Sequence, residues 1–513
     1  MKRLSLIIAF TSSVFVALNA QKIEFEEYKL DNGLHVILHE DKSAPLVKVE
    51  VMYNVGSKDD PKNKTGFAHF FEHLLFEGTK NIERGEWFKM VTSKGGRNNA
   101  YTSYDVTTYF EIFPSNNLQM GLWMESERMR HPVINQIGVD TQNGVIKEER
   151  RQTQDNRPYG NLISQVTKNL FPNTGYSHPI IGSIEDLDNA TLQDFIDFHN
   201  TYYKPNNAVL VIAGDFDKAQ AKTWIKDYFN TIPSGPAIKR NAFDLAPITS
   251  PISATFEDPN VQLPMQVLAY RTLPSTTKDA KALDLLSSIL SDGKSSILYK
   301  KLVDEKKMAL QIGAFNFGLK ESGMYLLYGL PMQGFTMDQL VQEIDEEVTK
   351  LQNDLISEND YKKLMNQYET QFIEKNASAE GIGNSLANNY TIYGDANKIN
   401  TELDEYRSIS REDIRNVARK YLQSNTRLNL RYTPKDFVEK KAEEKTPEAK
   451  TEAPVGKVVY INKDPKHGKV ESIPTNPEKG VTYKVIENAE ELAKWKEQNL
   501  SGKARTKGKK TKN

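Results

Sequence analysis

The sequence predicts an α+β chain of two successive mixed domains followed by an extension, and three observations predict it. At 513 residues and 58.3 kDa the chain is too long for one hydrophobic core. Residues 28–231 and 252–432 each interleave strand-like and helix-like segments in a similar order. Between them, Pro233 to Pro251 carries Pro236 and Pro247 beside Ser and Gly, the composition of an interdomain linker.

Residues 1–20 read Lys2-Arg3, an apolar run from Leu4 to Ala17 broken only by Ser and Thr, then Leu18-Asn19-Ala20. That order predicts a signal peptide cleaved after Ala20. The run is shorter than the roughly 20 residues a spanning helix needs, and no other segment could cross a membrane. A periplasmic or secreted protein is therefore expected. Cysteine is absent, so burial alone must hold the exported chain, and any metal site must use His, Asp and Glu. A net charge of −1 leaves no excess of cations for phosphate, which excludes nucleic acid as the main partner.

In the first domain, residues 21–245, Leu34 to Leu38 and Val47 to Val55 read as strands and Thr65 to Phe76 as a buried helix. Ala100 to Phe113, rich in Tyr, Thr, Val and Phe, reads as one long strand, and Leu118, Leu122 and Met129 as a helical stripe. In the second domain, residues 246–436, a strand is expected at Met265 to Tyr270 and a helix at Ala280 to Leu290. Phe71 to Thr79 and Leu286 to Lys294 occupy comparable places, which hints at a duplicated domain. Residues 437–456 are almost all Lys, Glu, Ala, Thr and Pro and cannot bury enough surface to order, so a flexible linker is expected. The small segment 457–513 contains Val458 to Ile461, a helical Ala489 to Gln498 and a basic tail from Lys503. Such a tail is solvated, with the capacity to attract anionic surfaces.

The informative stretch is His69-Phe70-Phe71-Glu72-His73. On a helix, positions i and i+4 share a face, so both imidazoles reach one ion while i+3 brings the Glu72 carboxylate beside them. Zinc chemistry calls for that combination, because the ion lowers the pKa of a bound water to about 7 and a carboxylate accepts its proton. Read instead as core groups, two histidines and a glutamate among Phe67, Phe70, Phe71, Leu74, Leu75 and Phe76 would be costly unless something paired them. One zinc held by His69 and His73, with Glu72 as general base, is the better reading. A third ligand is needed, and Val145-Ile146-Lys147-Glu148-Glu149-Arg150 offers two carboxylates. Glu149 has Val145 and Ile146 at i−4 and i−3 and so takes the inward face, whereas Glu148 follows Gly144 and Val145.

His-x-x-Glu-His is the order of the inverted zincins. With it, Thr65 to Thr79, Gly95 to Thr102, Val145 to Arg150, Tyr203 to Ala208 and Val211 to Asp215 make residues 25–435 resemble the pitrilysin/insulinase family of zinc peptidases. The likeness is to its bacterial and mitochondrial-processing-peptidase-like members in particular. The resemblance implies homologous domains of α/β sandwich type that face an equivalent pair across a peptide-enclosing chamber. It places the third ligand at Glu149. It also places Asn99 and Ala100 on an edge strand that pairs with substrate backbone; the alternative for these two is a strand-opening turn. The family usually carries a supporting glutamate seven residues before the ligand, where this chain has the neutral amide of Gln142.

The expected function is hydrolysis of peptides or small unfolded polypeptides. The alternatives are a non-proteolytic binding or assembly subunit of the same fold and, more distantly, another zinc hydrolase using the same helix. Retention of all four metal-site residues favours the peptidase. Resemblance also implies an Arg and a Tyr, seven residues apart, that bind the substrate carbonyl and its oxyanion; Val303 and Leu310 stand in their places. The expectation is a heterodimer with a homologous subunit that bears the Arg and Tyr and lacks the zinc motif, unless Arg271 or Tyr299 substitutes.

Overall fold

Strand periodicity builds the first sheet: β1 (Glu26–Lys29), β2 (His35–Glu40), β3 (Leu46–Tyr53), β4 (Arg97–Thr102), β5 (Thr107–Pro114) and β6 (Ala208–Gly214) lie in the order β1-β2-β6-β3-β5-β4. The computed structural model describes residues 22–240, 243–439, 458–462 and 482–486. The expected signal peptide, the helix Ala489 to Gln498 and the basic tail lie outside the described residues. The second sheet comprises β7 (Ile252–Asp258), β8 (Met265–Thr272), β9 (Ala309–Gly318), β10 (Gly323–Pro331) and β11 (Leu428–Pro434), in the order β7-β11-β8-β10-β9. From β2 onward the two sheets share one topology: the first strand pairs in parallel with the last, and every other pairing is antiparallel. The fold is thus α+β with a duplicated domain. Helix Lys278–Ser291 follows β8 where helix α1 (Phe67–Leu74) follows β3.

The central strands carry apolar residues on both faces because both faces are covered, with the buried Lys48–Glu50 pair of β3 as an exception. Val36, Leu38, Val49, Val51, Leu210 and Ile212 pack with Phe67, Phe70, Phe71 and Leu74 of α1. Their neighbours Ile37, Met52, Val209 and Val211 point the other way and pack with Ile382, Leu386 and Ala387 of helix Ala379–Tyr393. That helix belongs in sequence to the second half. Conversely, helix α5 (Leu162–Leu170) of the first half sends Val166 and Leu170 against Val267, Ala269, Leu428 and Leu430 of the second sheet. The halves therefore exchange one covering helix each.

Residues 100–113 are not the single strand that their composition predicts. They form the hairpin of β4 and β5, with the chain reversing at Ser103 to Val106. Ser103 Oγ accepts the backbone N–H of Asp105 at 3.2 Å and of Val106 at 3.1 Å. Asp105 is buried and takes hydrogen bonds from Lys58, Tyr176 and the Lys320 backbone, so distant partners hold the turn. Residues 233–251 contain no helix or strand among those described.

The stretch read as a flexible linker from 437 begins docked, since Glu439 accepts the Met337 N–H at 2.6 Å at the start of helix Met337–Asn353. The chain divides into two units, Met1–Lys441 and Ala442–Asn513. In the second unit, β12 (Val458–Asn462) pairs in parallel with β13 (Thr482–Ile486).

Candidate metal centre

Helix α1 has only eight residues, too few to persist alone, so its placement comes from its ends and its apolar face. Gly66 begins it at φ +92°, where a Cβ would come within 2.6 Å of the Ile181 carbonyl oxygen, so only glycine suits both the backbone and the space. Asp60, its side chain fully enclosed, accepts the Gly66 N–H at 2.6 Å and the Ala68 N–H at 2.9 Å. Its oxygens satisfy amides of the first turn, while burial pushes the Asp60 carboxyl well above its ordinary pKa. Phe67 stacks on Phe195 at 4.5 Å, and Tyr109 donates its hydroxyl to the Phe71 carbonyl at 2.7 Å. Behind the helix, buried Arg128 is sandwiched by Phe76, Trp87 and Tyr109 and pairs with Glu111 at 3.0 Å and Glu125 at 3.2 Å.

The opposite face of α1 carries the motif. The His69 and His73 ring centroids are 4.9 Å apart, and Glu72 Oε2 lies 4.0 Å from His69 Nε2. Helix α2 (Trp87–Ser93) flanks the region, and α3 (Leu118–Arg130) leads to α4 (Gln136–Arg150), which packs against α1. From α4, Glu149 reaches His69 Nε2 at 3.5 Å with one oxygen and His73 Nε2 at 3.1 Å with the other. Hydrogen bonds from His69 and then His73 hold the Glu149 carboxyl well below the usual carboxylate range. Glu148 instead faces solvent, where it accepts from Gln152 at 3.0 Å and Arg151 at 3.2 Å.

The donor set fits zinc: two imidazole nitrogens and a carboxylate oxygen lie within 4.8 Å of one another. It is the one such cluster among the described residues. His69 Nδ1 is buried without a hydrogen-bond partner, so the ring's distal nitrogen carries its interactions.

Asn99 and Ala100 lie within β4, opposite Phe110 and Tyr109 of β5, rather than in a strand-opening turn. β4 ends the sheet and pairs on one side only. It runs beside α1, where Thr102 Oγ1 donates to the Ala68 carbonyl at 3.5 Å. Val303 lies in a π-helical segment, Tyr299–Glu305, packed against the second core, and Leu310 stands 54% exposed at the start of edge strand β9. Sequence reading missed Asp60 and Glu77. Asp60 lies six residues before the helix-opening Gly66, outside the spacing at which a capping residue is sought.

One support of α1 is acid-sensitive. His199 is buried, its ring parallel to Tyr203 at 5.9 Å and 6.0 Å from Phe71. Burial pushes its pKa down to about 3, and burial lowers His178 in the same direction. The unfolded chain takes up these protons near pH 6.5 and the folded chain does not. The His199 contribution is therefore complete above about pH 6.5 and falls as pH drops toward 3, by up to ~1.4 kcal/mol per pH unit, and His178 acts in the same direction. Denaturant unfolding at a series of pH values should show that slope, and His199→Gln should flatten it. An unchanged slope in the variant would exclude His199 as its source.

Residues 35–183 match the model of the insulinase family, peptidase family M16, and residues 189–368 match the peptidase M16 inactive domain. The chain is 30% identical over 406 residues to the zinc protease PqqE of Helicobacter pylori, covering 78% of this chain and 90% of that protein. A solved protease from Helicobacter pylori superposes with a TM-score of 0.75 at 28% identity, over 80% of this chain and all of that one. The periplasmic protease PqqL of Escherichia coli superposes with a TM-score of 0.66 at 20% identity, over 80% of this chain and 47% of that one. Two M16-like domains in sequence, with the fold that solved members share, make this chain a member of the insulinase family, peptidase family M16.

Proposed function

We propose that this chain is an exported zinc-dependent endopeptidase acting on peptides or small unfolded polypeptides. The observation that carries the reading is the convergence of His69, His73 and Glu149 with the Glu72 carboxylate beside them. His69, His73 and Glu149 would hold one zinc ion per chain. When bound, zinc supplies Lewis acidity to the substrate carbonyl and lowers the pKa of water in its shell. Glu72 accepts a proton from the attacking water at its carboxylate and returns it to the leaving amine nitrogen as the C–N bond breaks. The open side of β4, at Asn99 and Ala100, pairs with the backbone of an extended substrate.

In this reading residues 21–245 form the zinc-bearing domain, 246–436 its homologue, 437–456 a linker and 457–513 a C-terminal segment with a basic tail. The signal-like residues 1–20 and the periplasmic location of PqqL support a periplasmic or secreted site of action. No helix among the described residues is long and apolar enough to cross a membrane. The active form is a heterodimer with a homologous Arg- and Tyr-bearing subunit.

Digestion of a mixed peptide library with and without chelator tests the activity: chelator-sensitive cleavage is expected, and none with or without a partner would refute it. A second reading, a binding or assembly subunit, is favoured by Val303 and Leu310, and zinc content by elemental analysis separates the two. Within the leading reading, Glu149→Gln should weaken zinc binding far more than Glu148→Gln in chelator competition, since only Glu149 touches the imidazoles. Equal small effects would place the third ligand elsewhere.

A further inference from the structure

Helix α4 touches the α1 region at two levels. Gln142 and Glu149 stand two turns apart and share a face. At the upper level Glu149 meets the imidazoles. At the lower level Gln142 Nε2 donates to Glu77 Oε1 at 2.5 Å. Glu77 lies four residues beyond His73, in the turn that ends α1, with its side chain only 9% exposed. Its second oxygen pairs with Arg84. The helices approach closely at this level: a Cβ on Gly138 would sit 3.2 Å from Leu74 Cδ1 and 3.6 Å from Glu77 Cγ.

We propose that the Gln142–Glu77 hydrogen bond is the strut that sets the spacing of α1 and α4, making both positioning residues for the His69, His73 and Glu149 set. This rests on the zinc reading above. The amide at 142 is then a fitted choice. A carboxylate there would face Glu77 at hydrogen-bond distance with no proton between them, whereas the amide donates. The orientation is fixed, because a flipped amide would set oxygen against oxygen, and Gln142 Oε1 is already buried without a partner. The carboxylate of this pair stands on the α1 side at Glu77, where Arg84 is its counter-ion.

An exchange cycle tests the strut. Gln142→Glu, Glu77→Gln and the double variant E77Q/Q142E are compared with the natural protein. Zinc affinity is measured by chelator competition, and the melting temperature is measured without metal. Each single variant should bind zinc about ten- to a hundredfold more weakly, as loss of a group supporting a ligand does. The double variant, which restores an amide-to-carboxylate bond in the reverse direction, should return to within about threefold of the natural affinity. A merely structural role would lower the melting temperature and leave zinc affinity alone. Single variants that bind zinc as the natural protein does, or a double variant no better than the weaker single, overturn the strut. Failure of the natural protein itself to bind zinc would instead remove the zinc reading, and the strut's function with it.

Discussion

Glu72→Gln should leave zinc bound and lower peptide turnover by about 10²–10⁴-fold, the range that a positioned acid–base group contributes. Glu72 does not share the Glu149 carboxylate's place between the two imidazoles; it stands 4.0 Å from His69 Nε2 on the same helix. A neutral amide cannot take a proton from water, while His69, His73 and Glu149 keep their donor atoms. Zinc content and turnover measured on one preparation separate the roles: lost zinc would make Glu72 a ligand, and retained turnover would remove it from the chemistry. His69→Ala and His73→Ala should lose both zinc and turnover.

If the active form is a heterodimer, adding a homologous subunit that carries the Arg and Tyr should raise turnover by about 10²–10³-fold over this chain alone, the usual worth of a missing oxyanion donor. Neither the Val303 nor the Leu310 side chain can donate a hydrogen bond. Val303 is occupied with core packing and Leu310 presents an apolar side chain to solvent. Arg271, considered as a substitute, has its guanidinium engaged by the backbone carbonyls of Leu170 and Ala246. Tyr299, the other, packs against the second core. Purification of the chain alone, followed by peptide hydrolysis with and without the co-expressed subunit, decides the matter. Robust turnover by the isolated protein that no partner improves would sink the heterodimer.

What the amino-acid order determined by itself was local. The His-x-x-Glu-His helix follows from side chains that share a face every three or four residues, a property of the helix rather than of its surroundings. That Glu149 rather than Glu148 faces the imidazoles was also legible, though only one of its two inward-face markers holds. Ile146 is buried and marks the inward face, whereas Val145, invoked beside it, is 46% exposed. Domain duplication showed faintly in the repeated order of elements and becomes plain in the shared strand order of the two sheets.

Only the tertiary structure decided the rest. Asp105 turned an expected single strand into the β4–β5 hairpin through partners as distant as Tyr176 and Lys320. Helix Ala379–Tyr393 covers a sheet whose last strand ended at Gly214, and α5 covers a sheet that begins at Ile252. Asp60 bonds the first turn of α1, and Gln142 bonds Glu77 just past its end, both from outside the helix's own turns. Periodicity records which face of an element is apolar, but not which distant surface will cover it. That choice is made when all the apolar faces compete for burial at once.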